Sequence, residues 1–238
     1  MARVLVVREA ESARDTAKKL IGIGHEPVLL PLEVVVRLGS AAPVGDWTGF
    51  VVTSAKAVER LAEIFSDDTR PVFAVGEASA EAARAVGLVH VIAGEGTATS
   101  LPSLVRSAFG ATARPNLLYA AGRNRSGSLE KAFEACDIAF GIWEVYDIAP
   151  LMPDLAFAQS TLSRTPVDAV LILSRGQAEA YGRLVARLDE ASLGWPLKAQ
   201  PHLLCLSERI AAALPVDLTY RAKISTSPSL ASLFEWIP

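Results

Sequence analysis

A chain of 238 residues and 25.2 kDa has room for one large α/β domain or two small ones. Hydrophobic residues make up 51% and charged residues 21%, a balance that calls for a packed core and excludes disorder. The net charge of −3 and a pI near 5.7 argue against a general nucleic-acid or acidic-membrane binder, while leaving room for a local basic site. The two cysteines, Cys136 and Cys205, each lie in an apolar or helical run. No signal-peptide pattern precedes Arg3, and no apolar stretch reaches membrane-spanning length. The expected compartment is a reducing cytoplasm, with both thiols as ordinary buried residues.

The first elements form a strand–helix–strand unit. Arg3–Val7 is a β-rich apolar run, Ala13–Ile21 a helix ended by Gly22 and Gly24, and Pro27–Leu30 a second strand stopped by Pro31. Such a unit implies a parallel pair with a right-handed crossover. Leu32–Leu38 is extended and β-branched with no helix after it, and reads as a connector. Phe50–Val52 then ends in Thr53-Ser54, which opens a helix with Val58, Leu61 and Phe65 at helical spacing. Pro71–Val75 is the next strand, Gly76–Ser79 its turn and Ala80–Ala85 its helix. Val89–Ala93 is followed by Thr97–Ser100, capping a helix over Leu101–Phe109.

Asn116–Ala121 is a strand, Gly122–Ser126 a polar loop and Ser128–Cys136 a helix. Gly141–Ile148 is a second extended connector, followed by Pro150 and Pro153. Leu155–Ser163 is a short helix. Ala169–Ser174 and its helix repeat the strand–hydroxyl–helix pattern of Phe50–Phe65. Leu203–Leu206 with Ser207-Glu208, a last strand over Leu218–Tyr220, and the turn Ser225-Thr226-Ser227-Pro228 opening a helix over Ser229–Trp236 complete the chain.

These units duplicate. Four strand–helix segments, in the order A-B-C-D, occur twice: PVFAVGEASAEAARAVG from Pro71 matches PHLLCLSERIAAALPV from Pro201, and TATSLPSLVRSAF from Thr97 matches ISTSPSLASLFEW from Ile224. Four resemblances in register indicate two similar α/β lobes. Two cuts fit the repeat, one into contiguous halves and one in which the first lobe is the first A plus the last B-C-D. The two lone extended segments favour the second, because each is then a crossing between lobes and the two can pair as a ribbon.

Ligands of open parallel sheets sit beyond the carboxyl ends of the strands. Here those ends carry Arg8, Thr53, Ser54, Ser79, Gly122, Arg123, Arg125, Ser174 and Ser207. Small residues let backbone approach a ligand, and helix starts attract anions through unpaired N–H groups and the macrodipole. If two such lobes face one another, about eight helix starts line one cleft, a surface suited to a flexible polycarboxylate. Taken singly, each hydroxyl is better explained as an N-cap, worth on the order of 1 kcal/mol to its helix, and only the repetition favours a ligand. The arginines are either carboxylate forks or solvated charges. Tyr146, among Trp143, Val145 and Ile148, either donates into the cleft or packs a hinge.

Other chemistries lack their residues. His25, His90 and His202 have no metal-ligand spacing. There is no GxSxG elbow, no Walker-type loop, and no third glycine after Gly94-Glu95-Gly96. Any reaction is expected to rest on binding and positioning, without a cofactor.

The blocks VLVVRE, FVVTSAKAVERL, VFAVGEASAEAARAVG, LLYAAGRNRSGSLEKAF, WEVYDIAP, VLILSRGQAEAYGRL, LLCLSERIAAAL and STSPSLASLFEW, in this order and spacing, resemble uroporphyrinogen-III synthase over essentially the whole chain. The resemblance implies two parallel-sheet three-layer lobes of flavodoxin-like type. Lobe 1 is discontinuous (1–35 and 150–238), lobe 2 spans 38–147, and a two-stranded ribbon near 32–38 and 142–149 joins them. It implies a cofactor-free monomeric lyase of the cytoplasm that makes no contact with nucleic acid or membrane. Its substrate is hydroxymethylbilane, a linear tetrapyrrole with eight carboxylates, taken over in transient contact with the preceding pathway enzyme. Thr53, Ser54, Ser79, Gly122 and Ser174 match the family's ligand-facing turns, and Tyr146 its connector tyrosine, the candidate for assisting loss of hydroxide. The alternative is a non-catalytic two-lobe binding or regulatory protein for an anionic small molecule.

Overall fold

Strands that are apolar along their whole length are accommodated only in a sheet covered on both faces. Val4–Val7, Phe50–Val52, Ala169–Ile172 and Leu203–Cys205 are of this kind, and all are buried. The computed structural model describes residues 1–110, 112–162, 166–191, 200–227 and 229–238. Among them the chain divides into two compact units, Met1–Val34 with Ala149–Pro238, and Val35–Ile148.

The first unit contains β1 (Arg3–Val6), α1 (Ala10–Gly22), β2 (Glu26–Leu29) and the root of β3 (Glu33–Arg37). Its later segment supplies α6 (Leu155–Leu162), β9 (Ala169–Ile172), α7 (Arg175–Glu190), β10 (His202–Cys205) and β11 (Ala222–Ile224). Its sheet is parallel in the order β11-β10-β9-β1-β2. The two-residue period of the strands sorts side chains between two cores. Leu5, Val170, Ile172 and Leu203 join Tyr181, Leu184 and Leu188 of α7 on one face. Val4, Val6, Leu171 and Leu204 join Ala13 and Leu20 of α1 on the other.

The second unit contains β4 (Gly49–Val52), α2 (Val58–Phe65), β5 (Val72–Ala74), α3 (Glu77–Ala85) and β6 (Val91–Ala93). It continues through α4 (Leu101–Phe109), β7 (Asn116–Gly122), α5 (Ser128–Ala135) and β8 (Ala139–Pro150). The sheet order is β3-β8-β7-β4-β5-β6, with β8, β7, β4, β5 and β6 mutually parallel. Phe50, Val52, Leu118 and Ala120 pack with α2 and α3, while Val51, Leu117 and Tyr119 pack with α4 and α5. Read from β2 and from β8, the two sheets have one strand order, the second being a circular permutation of the first.

The two extended segments pair. The Leu38 N–H donates to the Val145 carbonyl (3.0 Å) and the Leu151 N–H to the Leu32 carbonyl (2.8 Å), the constant residue sum of an antiparallel ladder.

Some expected elements lie elsewhere. Leu218–Tyr220, read as the last strand, instead ends a turn of helix over Val216–Thr219, and the strand follows at Ala222–Ile224. Pro215 decides this, since its fixed φ suits a helix start and its carbonyl accepts from the N–H groups of Leu218 (2.9 Å) and Thr219 (3.1 Å). The last helix spans Leu230–Phe234 only. Ser163 and Pro228 lie outside the described residues. Cys205 is buried as expected, which pushes its thiol up to about 12, whereas Cys136 is half-buried. Among the described residues no helix is long and apolar enough to cross a membrane.

Candidate active site

In the second unit the predicted residues gather at the carboxyl ends of the neighbouring strands β4, β7 and β8. Thr53 and Ser54 follow β4 directly. The Ser54 hydroxyl accepts from the Lys56 N–H (3.3 Å), capping a turn of 3-10 helix ahead of α2. The Thr53 hydroxyl shares a hydrogen bond of 2.9 Å with the phenol of Tyr119. Burial holds that phenol above its ordinary range, with the Thr53 bond acting against the shift.

Between β7 and β8 the register slips by one residue: Ala121 faces Glu144, and Gly122 faces Tyr146. A break of this kind re-aims side chains. It brings the Tyr146 ring onto Gly122, where a Cβ would stand 2.7 Å from Cζ. The Arg123 N–H closes the step by donating to the Tyr146 carbonyl (2.9 Å). Glycine at 122 is therefore a steric requirement of the tyrosine's seat.

Arg123 and Arg125 do not form a bare cationic loop. Arg125 pairs with Glu130 (2.6 Å) and Glu144 (3.0 Å), and also donates to the carbonyls of Gly122 and Arg123. Arg123 meets Glu144 at 3.3 Å and Asp147 at 3.5 Å, and its side chain is 55% exposed against 23% for Arg125. Exposed pairs of this length are worth about 0–1 kcal/mol, so Arg123 can exchange partners where Arg125 is tied into the loop. Arg125 and Arg123 together hold the Glu144 carboxyl below its usual range. Ser79, expected in a turn, stands within the first turn of α3, which begins at Glu77, and is buried.

In the first unit Ser174 caps α7 by accepting from the Gln177 N–H (3.1 Å). Its own hydroxyl donates to Glu33 (3.1 Å), whose other carboxylate oxygen accepts from the Gln177 side-chain amide (2.8 Å). Glu33 is 9% exposed, and burial raises its carboxyl above the ordinary range. A carboxylate from the chain thus already stands at the start of α7. Arg8 follows β1, donates to the Thr16 hydroxyl (3.0 Å), and lies within electrostatic reach of Glu9 and Glu33. Ser207 caps the short helix Glu208–Ala211.

Sequence reading missed Tyr119, Glu33 and Gln177. Tyr119 sits inside an apolar strand, so only its hydroxyl gave a signal. Glu33 is the single acid in LEVVVRL, and its partner lies 141 residues away.

The family model described as uroporphyrinogen-III synthase HemD matches residues 14–235. The chain belongs to the uroporphyrinogen-III synthase family. That makes it a cyclising lyase of tetrapyrrole biosynthesis. The uroporphyrinogen-III synthetase structure from Helicobacter pylori 26695 is 15% identical, covers 99% of this chain and 97% of its own, and superposes with a TM-score of 0.59, which supports the fold. A mutant uroporphyrinogen III synthase from the extremely thermophilic bacterium Thermus thermophilus is 19% identical over 99% of this chain and 96% of its own, with a TM-score of 0.46. No protein with a curated description matches the chain significantly.

Proposed function

We propose that this member of the uroporphyrinogen-III synthase family works by holding a flexible polyanion at its strand ends, with Tyr146 as the one side chain that helps the leaving group depart. The reaction is the cyclisation of hydroxymethylbilane to uroporphyrinogen III, with inversion of ring D and loss of water. The match of the family model over residues 14–235 carries that assignment.

The order of events follows from the substrate. The hydroxymethyl C–O bond breaks and hydroxide takes up a proton, leaving a cationic azafulvene. The substituted carbon of the last ring attacks to give a spiro intermediate, which fragments and closes inverted, and a proton is lost. Uncatalysed closure needs no enzyme but does not invert. The protein therefore has to favour the spiro route, and ~3 kcal/mol of bias is roughly a hundredfold preference. Carboxylates of the substrate are bound by Thr53 and Ser54, with Arg123 exchanging Glu144 and Asp147 for a substrate carboxylate. The strand ends of the first unit carry donors of the same kind at Arg8 and Ser207, whereas the start of α7 at Ser174 already holds Glu33 and Ser79 lies inside the first turn of α3. The Tyr146 phenol, braced on Gly122, donates to the departing hydroxyl. The enzyme acts as a cytoplasmic monomer and receives its labile substrate through transient contact with the preceding enzyme.

The deciding assay supplies hydroxymethylbilane and scores the type III against the type I isomer. Type III product is expected. Type I alone, or stabilisation by product without any change in isomer ratio, overturns the reading and leaves a binding protein.

A further inference from the structure

Tyr119 takes no part in the roles given so far, yet its hydroxyl is the partner of Thr53. It lies on β7 opposite Val51 of β4 and is 3% exposed, with its ring packed among Val51, Leu117 and Leu129. Its hydroxyl reaches the first residue beyond β4 and meets the Thr53 hydroxyl at 2.9 Å. Glu130, Tyr146 and Arg125 are near enough to act on its charge, so it stands under the same strand ends as the catalytic tyrosine.

A hydroxyl pair has two possible directions, with opposite consequences for an anion. Thr53 pointing its proton down at Tyr119 would offer a carboxylate only lone pairs. A phenol is the stronger acid of the two and the better donor. Burial keeps this one protonated. When the phenol donates, the threonine oxygen accepts, and the threonine proton is left for the ligand. The bond below also polarises the one above.

We propose that Tyr119 is a positioning residue that donates to Thr53 and so fixes the Thr53 hydroxyl as a donor to a substrate carboxylate. This rests on the reading of Thr53 as a binding residue. The contact persists from bound substrate to transition state, so its loss raises KM while leaving kcat in place.

The test is a double-mutant cycle in the intact enzyme with hydroxymethylbilane as substrate. Thr53→Val and Tyr119→Phe are each expected to raise KM about tenfold with kcat kept, and the double variant to be no worse than Thr53→Val alone. Thr53→Ser, which keeps the hydroxyl, is expected to restore the affinity lost in Thr53→Val, and a KM as high as that of Thr53→Val counts against the inference. A wild-type KM for Tyr119→Phe beside a raised one for Thr53→Val overturns the inference and leaves the binding role of Thr53 standing. A wild-type KM for Thr53→Val removes both. Additive effects of the two substitutions also overturn the inference. Circular dichroism at the assay temperature checks the fold. Should Tyr119→Phe unfold, 3-fluorotyrosine at 119, a stronger donor of nearly the same shape, is expected to lower KM; an unchanged or raised value counts against the inference.

Discussion

Gly122 and Tyr146 form a lock of two residues. The missing Cβ makes room for a ring, and the one-residue slip between β7 and β8 delivers that ring. Gly122→Ala should displace the far end of the tyrosine, which can swing at little energetic cost. Turnover is then expected to fall several-fold, as it should in Tyr146→Phe, while urea midpoints stay near wild type for both. Equal rates in all three proteins would reduce Tyr146 to packing. Glu33 lends itself to a second measurement. Burial raises its folded-state pKa above the unfolded value, so the folded protein binds this proton more tightly. The stability this adds is full below the unfolded pKa and is lost as pH rises through the folded one. Urea melts from about pH 4 to pH 7 should show the difference between wild type and Glu33→Gln shrinking with rising pH and then levelling off. A constant difference would show that Glu33 does not titrate in this range.

The most stringent case among the elements is α7, because one hydroxyl both caps it and holds Glu33. Ser174→Ala removes the acceptor of the Gln177 N–H and a donor to Glu33. A stability loss of about 1–2 kcal/mol is expected from denaturant melts. A loss near zero would mean that Gln177 alone holds the carboxylate. Elements of this kind were legible in the sequence because strand and helix differ in period and the caps carry hydroxyls: Ser54, Ser174 and Ser207 each cap as their position suggests. Leu218–Tyr220 misled because so short a run cannot separate a strand from a turn of helix behind a proline. Ser79 misled because Gly76, with no capping side chain, lets α3 begin two residues before it. The arginine loop was legible as a loop, but the acids that neutralise it, Glu130, Glu144 and Asp147, come from α5 and β8 and become neighbours only on folding.

At the scale of the molecule, the twofold repeat of four segments in register was the most informative feature. It indicated two similar α/β lobes before any contact was known, and the two sheets share a strand order up to a circular permutation. The second unit is continuous in sequence and holds two cores of its own, one on each face of its sheet. A fragment of residues 35–148 is therefore expected to fold alone, with a single cooperative urea transition and dispersed amide resonances. A broad, non-cooperative transition would show that it needs the rest of the chain. Side-chain partnerships such as Tyr119 with Thr53 and Glu33 with Ser174 were out of reach of any local reading, because sequence separation carries no information about which strand ends become adjacent.

The pairing of Val4 with Ala169 has a consequence for biosynthesis. β1 is an interior strand of its sheet, and its neighbour β9 is made some 165 residues later. At ordinary elongation rates that is a delay of about ten to thirty seconds. Throughout it the apolar β1–β2 pair must stay soluble with one flank bare, while residues 35–148 are made and fold. Nascent-chain arrest at successive lengths should reveal protease resistance arriving first in residues 35–148 and last in the β1–β2 pair.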